Sequence, residues 1–355
     1  MAAGDFEARM TGYLNGAAAC LALSIGRETG LLKVFTEPHE PMTIPQIASR
    51  TNLKERYIQE LLGCLVTSNI IEVDETSVKY FVPDEIRSTL DSTLNSIELF
   101  DYGLARKEDL KSCLAIDGPN GFASQTKPGY GELLKKFRCM NIDNLIEEEF
   151  FKHTPDIKTK LETGIDFVEF GCGLGPVIIE LASRYPNSRF IASDYSPEAI
   201  AYVTKAIEEK GLKNIKAQKS DLYQLPDEWV GKFDVVYIRD TLHDLGQPLK
   251  GATEMVKVLK EGGDMIIIEI VLKGDNHREN KEDISAPLLF ILSASVCVPE
   301  SLCQEGGIGL GCTSGLKSLK NIIYQSGIPA ANIETHKLNE KKQNASLSCK
   351  FVCRK

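Results

Sequence analysis

Residues 166–176, Asp-Phe-Val-Glu-Phe-Gly-Cys-Gly-Leu-Gly-Pro, restrict what this 355-residue chain can fold into more than any other stretch. The apolar run Phe167-Val168 with Phe170 ends in Gly171, Gly173 and Gly175, and a helical pattern follows at once from Val177 to Tyr185. This reads as a strand, a tight glycine turn and a helix start, the arrangement that carries a nucleotide-like ligand across strand carboxyl ends. A dinucleotide turn has the form Gly-x-Gly-x-x-Gly, with its third glycine where the helix packs on the strand. Here that place is held by Pro176. Proline suits the first turn of a helix but offers no N–H to a pyrophosphate. The glycine turn alone does not choose the ligand, so the rest of the chain has to.

From residue 165 onward, strands and helices alternate. The strand runs are 167–170, 189–193, 215–219, 233–238, 264–271, 332–338 and 347–353. Such alternation predicts a Rossmann-like α/β sheet of seven strands, mostly parallel, with helices on both faces. The last two runs are joined only by the polar turn Glu340 to Asn344. A parallel crossover needs a dozen residues or more, so these two strands form a terminal antiparallel hairpin. In front of this lies a mainly helical segment. Residues 11–37 read as an apolar helix broken near Gly30. Thr43, Pro45 and Gln46 open a second helix in capping-box order. Lys54 to Ser68 is a third, with Tyr57, Leu61, Leu62, Leu65 and Val66 at helical spacing. Residues 70–73 and 78–82 alternate as a hairpin around Asp74-Glu75-Thr76-Ser77. Three helices and a hairpin in that order describe a winged helix. Between the two regions, residues 84–163 are mostly helical, with loops at 117–121 and 127–131 that place Phe122 and Tyr130 as candidate pocket aromatics.

Charge and composition exclude some functions. The net charge of −9 opposes general binding to phosphate backbones. The third helix, where base contacts would arise, carries a balanced Lys54, Glu55, Arg56 and Glu60. The apolar run Gly16–Ile25 is too short for a membrane span, and Asp5 and Glu7 do not suit a secretory leader. The ten cysteines show no Cys-x-x-Cys zinc spacing and read as reduced cytosolic thiols, with Cys349 and Cys353 on one strand face. The triplet Asn344-Ala345-Ser346 has no meaning as a glycosylation acceptor without secretion.

The second strand ends in Asp194, followed by Tyr195, and an acid there can accept both ribose hydroxyls of an adenosine. Asp221, followed by Leu222, closes the third strand, and its alternative reading is a turn cap. The fourth strand runs into Arg239-Asp240-Thr241-Leu242-His243-Asp244. Glu269 interrupts the apolar strand Ile266–Ile270, where a carboxylate is costly unless partnered.

Taken together, these residues make the region 165–272 resemble class I S-adenosylmethionine-dependent methyltransferases, with the glycine turn as their first motif. With the winged helix in front, nearly the whole chain resembles the subgroup that includes phenolic O-methyltransferases and related bacterial and animal proteins. The resemblance implies a winged-helix dimerisation domain over 1–90, a helical linker and substrate lid over 91–160, and a cofactor-binding domain over 161–355. It implies S-adenosyl-L-methionine held by Glu169, Gly171, Gly173, Gly175, Asp194, Tyr195, Asp221, Leu222 and Arg239. Asp221 would meet the adenine amino group, and Arg239 the cofactor carboxylate. His243, four residues after Arg239, would take the acceptor's proton as general base, oriented by Glu269. The expected reaction is methyl transfer to a small-molecule acceptor at oxygen, without a metal, in a cytoplasmic homodimer that binds neither nucleic acid nor membrane. The alternatives are a nitrogen acceptor and an inactive cofactor-binding regulator. Where relatives carry a His and a Trp near the glycine-rich run 306–311, this chain has Val296 and Thr313, which leaves the acceptor open.

Overall fold

The computed structural model describes residues 3–127, 129, 130, 133, 142–338 and 347–355. They fall into two compact units, Met1–Tyr102 and Gly103–Lys355. The 340–344 turn, the 344–346 triplet, Pro128 and Gly131 lie outside the described residues.

In the first unit, helix α1 (Ala3–Glu28) stops before Gly30, whose φ of +76° a side chain would resist, and a short α2 (Lys33–Thr36) follows. Strand β1 (Met42–Thr43) leads into α3 (Ile44–Thr51), and the Thr43 N–H donates to Gln46 Oε1 at 2.8 Å, as a capping box requires. Helix α4 (Glu55–Thr67) buries Ile58, Leu62 and Leu65. Of the expected stripe, Leu62 and Leu65 are buried and Leu61 and Val66 pack partly buried, whereas Tyr57 points to solvent and Ile58 takes its place in the core. Strands β2 (Glu72–Val73) and β3 (Lys79–Phe81) form the wing, with sheet order β1-β3-β2. The Asp74 carboxylate accepts the N–H groups of Val78 and Lys79 and fixes that turn. Helix α5 (Asp84–Leu104) contributes Leu90, Leu94 and Ile97 to the core built on Leu32, Phe35 and Leu62.

The second unit begins with α6 (Lys107–Leu114), and a π-helical segment, Leu145–Phe151, precedes α7 (Pro155–Thr163). Its seven-stranded sheet has the order β6-β5-β4-β7-β8-β10-β9. The strands are β4 (Asp166–Phe170), β5 (Arg189–Asp194), β6 (Ile215–Lys219), β7 (Phe233–Arg239), β8 (Leu259–Val271), β9 (Ile333–Leu338) and β10 (Leu347–Arg354). Strands β4 to β8 pair in parallel, whereas β10 lies antiparallel between β8 and β9. Helices α8 (Pro176–Arg184), α9 (Pro197–Lys210), α10 (Pro248–Val258), α11 (Ala286–Leu292), α12 (Val298–Leu302) and α13 (Leu316–Gln325) complete it.

Strand alternation divides the core between the two faces of the sheet. Phe167, Val235 and Tyr237 pack with Val177, Ile178 and Phe150 on one side. Val168, Val236 and Ile267 pack with Ala252, Met255 and Ile323 on the other, where Cys349 and Cys353 are also buried. Strand order reverses between β4 and β7, and ligands of such sheets sit outside the carboxyl ends at that reversal.

Candidate functional site

The glycine turn lies at this reversal. Gly171, Gly173 and Gly175 have φ values of +60°, +54° and +66°, so all three occupy the left-handed region that glycine tolerates. A Cβ on Gly171 would fall inside the Thr241 side chain, 2.7 Å from its Oγ1. Gly175 caps α8, and Pro176 fills its first turn. The Gly173 N–H is held by Asp194 Oδ2 at 2.8 Å, while Asp194 Oδ1 accepts the Ser196 N–H at 2.8 Å. Burial raises the Asp194 pKa above the usual carboxylate range, against the pull of those N–H donors. Each oxygen keeps lone pairs for a further donor. Tyr195 is 73% exposed beside it, and the Lys219 ammonium lies over its ring. Glu169 is buried within β4.

At the end of β6, Asp221 Oδ1 accepts the Tyr223 N–H at 2.9 Å. The carboxylate therefore does cap a turn, yet it stays exposed on the cleft side of the sheet. Leu222 packs partly buried against the core.

Arg239 ends β7 and has a partner that the sequence did not suggest. Its Nε and Nη2 donate to Glu149 Oε2 at 3.3 and 3.0 Å, and Nη1 lies 3.2 Å from Asp240. Glu149 comes from the π-helical segment, ninety residues away in sequence. Burial disfavours the guanidinium charge, but Asp240, Tyr237 and Glu149 outweigh it and raise the Arg239 pKa. The π-helical segment is itself fastened by Lys350 of β10, whose ammonium donates to Phe150 O, to Lys152 O at 2.8 Å and to Thr154 Oγ1 at 2.7 Å. Burial lowers the Lys350 pKa to about 7.

His243 and Glu269 meet, as their expected roles require. The Glu269 side chain is fully buried, yet all its acceptor needs are answered. Oε1 accepts the N–H groups of Thr241 at 3.1 Å and Leu242 at 2.7 Å, and Oε2 bonds His243 Nδ1. The carboxylate thus holds the start of the 3₁₀ turn Leu242–Asp244 and the imidazole that the turn presents. His243 Nε2 lies 3.3 Å from Asp244 Oδ1. Burial alone would lower the His243 pKa, but Glu269 and Asp244 outweigh it and push it well above the ordinary value. A carboxylate thus stands beside each imidazole nitrogen, and both favour the protonated ring.

The far wall of the cleft holds what sequence reasoning missed. The buried Cys297 and Cys312 thiols neighbour each other and His243, and the Cys312 thiol donates to Leu289 O at 3.9 Å. One ligand atom each from His243, Asp244 and Cys297 lies within 4.8 Å of the others. No sequence spacing signals this grouping, because it joins a β7 turn to helices more than fifty residues later. Next to it is a cavity of about 340 Å³ with mainly apolar walls, lined by Leu110, Leu114, Phe290, Ser293, Leu302 and Thr313 among others. Phe122 and Tyr130 are not among its lining residues. Phe122 instead donates its N–H to Pro299 O and sits under the Lys127 ammonium.

The donor set fits an adenosine bearing an amino-acid tail. Asp194 offers acceptor capacity for vicinal hydroxyls, the Tyr195 ring is exposed beside it, and Arg239 offers a charge for a carboxylate once Glu149 shares or yields it.

Known proteins agree with this architecture. Residues 161–321 match the family described as a methyltransferase domain. Residues 17–91 match an Rv2258c-like winged helix-turn-helix domain. A demethylmenaquinone methyltransferase of Lactococcus lactis subsp. lactis (strain IL1403) is 31% identical over 108 residues, covering 30% of this chain and 42% of that protein. The chain thus spans less than half the length of the curated relatives it first matches. A putative O-methyltransferase of Nostoc punctiforme PCC 73102 superposes with a TM-score of 0.70 at 12% identity, covering all of both chains. Human N-acetylserotonin methyltransferase, solved with S-adenosylmethionine, gives a TM-score of 0.65 at 16% identity, covering 100% of this chain and 99% of that one. These structures share the fold.

Proposed function

From a chain with the architecture of class I S-adenosylmethionine-dependent methyltransferases behind a winged-helix domain, we propose methyl transfer from S-adenosyl-L-methionine to a small-molecule acceptor, at oxygen. The observation that carries this reading is the convergence at the strand reversal of the glycine turn and Asp194, after β4 and β5, with Arg239 and the His243–Glu269 pair, from β7 and β8. Asp194 serves the ribose hydroxyls, with Tyr195, Asp221 and Leu222 around the adenine, and Gly171, Gly173 and Gly175 let the backbone come close. Arg239 serves the carboxylate, with Glu169 buried behind the turn. When bound, the cofactor supplies an electrophilic methyl group, and the protein's main task is to align the acceptor.

His243 is the base of this reading. Glu269 keeps its Nδ1–H in place, so acid–base work falls to Nε2. Nε2 faces Asp244, which must turn aside, and Nε2 must carry no proton, before an acceptor hydroxyl can be deprotonated. The Glu269 bond to Nδ1 and the approach of Asp244 to Nε2 also favour a second reading, an S-adenosylmethionine-binding regulator without turnover.

The exposed apolar residues of α1, among them Phe6, Tyr13, Leu14 and Leu21, support a homodimer formed through the first unit. Paired surface charges on α4, such as Arg56 with Glu60, are a reason against a nucleic-acid partner. No helix among the described residues is long and apolar enough to cross a membrane, and we place the protein in the cytoplasm on its many free thiols.

Calorimetric titration with S-adenosylmethionine tests the cofactor half, and micromolar binding is expected. Absence of binding rejects both readings. A metabolite screen for S-adenosylhomocysteine release tests turnover. With an acceptor in hand, His243→Ala is expected to abolish turnover while cofactor affinity stays nearly constant. A matching fall in affinity would make His243 structural.

A further inference from the structure

We propose that His243, Asp244 and Cys297, with Cys312 as fourth donor, form a site for one thiophilic divalent cation of the zinc class. The ligand set is the chemistry such an ion takes, namely imidazole, carboxylate and thiolate. One ligand atom from each of the first three lies within 4.8 Å of the others. Donors on a tetrahedral zinc stand roughly 3.4 Å apart, given bonds of about 2.0–2.3 Å. The His243 Nε2 to Asp244 Oδ1 separation is already 3.3 Å, so only the thiols need to draw in. Cys312 lies outside that group of three, beside the Cys297 thiol, and has to move in to complete the set.

The outer contacts fit as well. Metal-binding imidazoles usually give their other N–H to a carboxylate, which fixes the tautomer and leaves the second nitrogen to the ion. Glu269 holds Nδ1 in that way and is itself pinned by the N–H groups of Thr241 and Leu242. An ion can reach the site from the 340 Å³ cavity, whose wall includes Ser293, a neighbour of Cys312. On coordination the thiols, and His243 Nε2 where it is protonated, release their protons to solvent.

The consequence rests on the methyl-transfer reading, although the binding does not. An ion on Nε2 takes the lone pair that deprotonation of an acceptor requires. The ion-bound and proton-accepting states of His243 exclude each other, so the ion acts as an occupant that closes the acceptor side.

The test uses the full chain, stripped with a chelator, kept reduced, and titrated with Co²⁺ while thiolate-to-cobalt charge-transfer absorption is followed. Cofactor binding is measured by calorimetry on the same metal-free sample. One Co²⁺ per chain, a thiolate band, and displacement by Zn²⁺ are expected for the wild type and for Cys64→Ser. Cys297→Ser is expected to lose the band and to bind at least tenfold more weakly. Cys312→Ser serves as the second variant should Cys297→Ser fail to fold. Equal binding in wild type and Cys297→Ser, or binding without a thiolate band, overturns the site. So does a chain lighter by two hydrogens with Cys297 linked to Cys312, which would make the pair a redox couple. Cofactor binding without cobalt binding removes the ion site and leaves the methyl-transfer reading standing. Cobalt binding without cofactor binding does the reverse.

Discussion

Replacing Glu269 by Gln isolates one bond in the buried pair. Gln keeps an oxygen for the N–H groups of Thr241 and Leu242, so the 3₁₀ turn stays anchored. It sets an NH₂ against His243 Nδ1, which can no longer donate to a charged acceptor. A hydrogen bond to a charged group contributes about 1.5–3 kcal/mol. For a unit of this size each kcal/mol shifts Tm by about 2–4 °C, so Tm should fall by about 3–12 °C at low pH. The direction with pH follows from the raised His243 pKa. In the wild type the pair's stabilisation is complete below the unfolded imidazole pKa of about 6.5 and is lost as pH rises through the folded value. The gap between wild type and Glu269→Gln should therefore be widest at pH 6 and should shrink by pH 9. Groups common to both proteins cancel in that difference. Thermal melts by circular dichroism at the two pH values provide the measurement. A gap of the same size at both, or no gap, would refute the charged-pair account of His243.

Three further outcomes are expected. Glu149→Gln removes the resident partner of Arg239, so calorimetry should find S-adenosylmethionine binding about 2- to 10-fold tighter, as one competing hydrogen-bonded contact predicts. Weaker binding would mean that Glu149 positions Arg239 for the ligand. Lys350 has a folded pKa of about 7, below its unfolded value, so the unfolded chain holds a proton that the folded one releases, and wild-type stability should climb between about pH 7 and pH 10. Lys350→Met should lack that climb and lose about 1–3 kcal/mol from the unpaired acceptors it leaves, measured by urea unfolding. Gly171→Ala combines a left-handed backbone with a clash on Thr241 and should cost at least about 1–2 kcal/mol, read from unfolding followed by Trp229 fluorescence.

The parts of this protein that could be read from sequence were those written in local patterns. The strand–glycine–helix run, the alternation of βα units and the Thr43 cap depend on neighbours a few residues apart, and each stands where its spacing put it. The proximity of Glu269 to His243 was implied by the family resemblance, and the cost of a lone acid in an apolar strand supported it. The Glu149–Arg239 pair, the Lys350 clamp and the Cys297–Cys312 contact were not legible. The first two join segments far apart in the chain, and the charged member of each carries no periodic signal. Glu149 reads as one more acid in the run Glu147-Glu148-Glu149, and nothing local shows that it alone turns inward. Phe122 and Tyr130 were drawn by loop composition, whereas the cavity lining comes from the apolar faces of α6, α11 and α12.

The position of β10 bears on how the molecule is made. It is synthesised after every strand it touches, yet it sits between β8 and β9 rather than at a margin. Until β10 leaves the ribosome, β8 presents an open row of backbone donors and acceptors along Ile266, Ile267 and Ile268, an adhesive edge for other nascent chains. The Lys350 clamp on the π-helical segment arrives with the same strand, so Glu149 cannot be fixed against Arg239 earlier. Assembly of the surroundings of Arg239 is thereby deferred until β10 has been made.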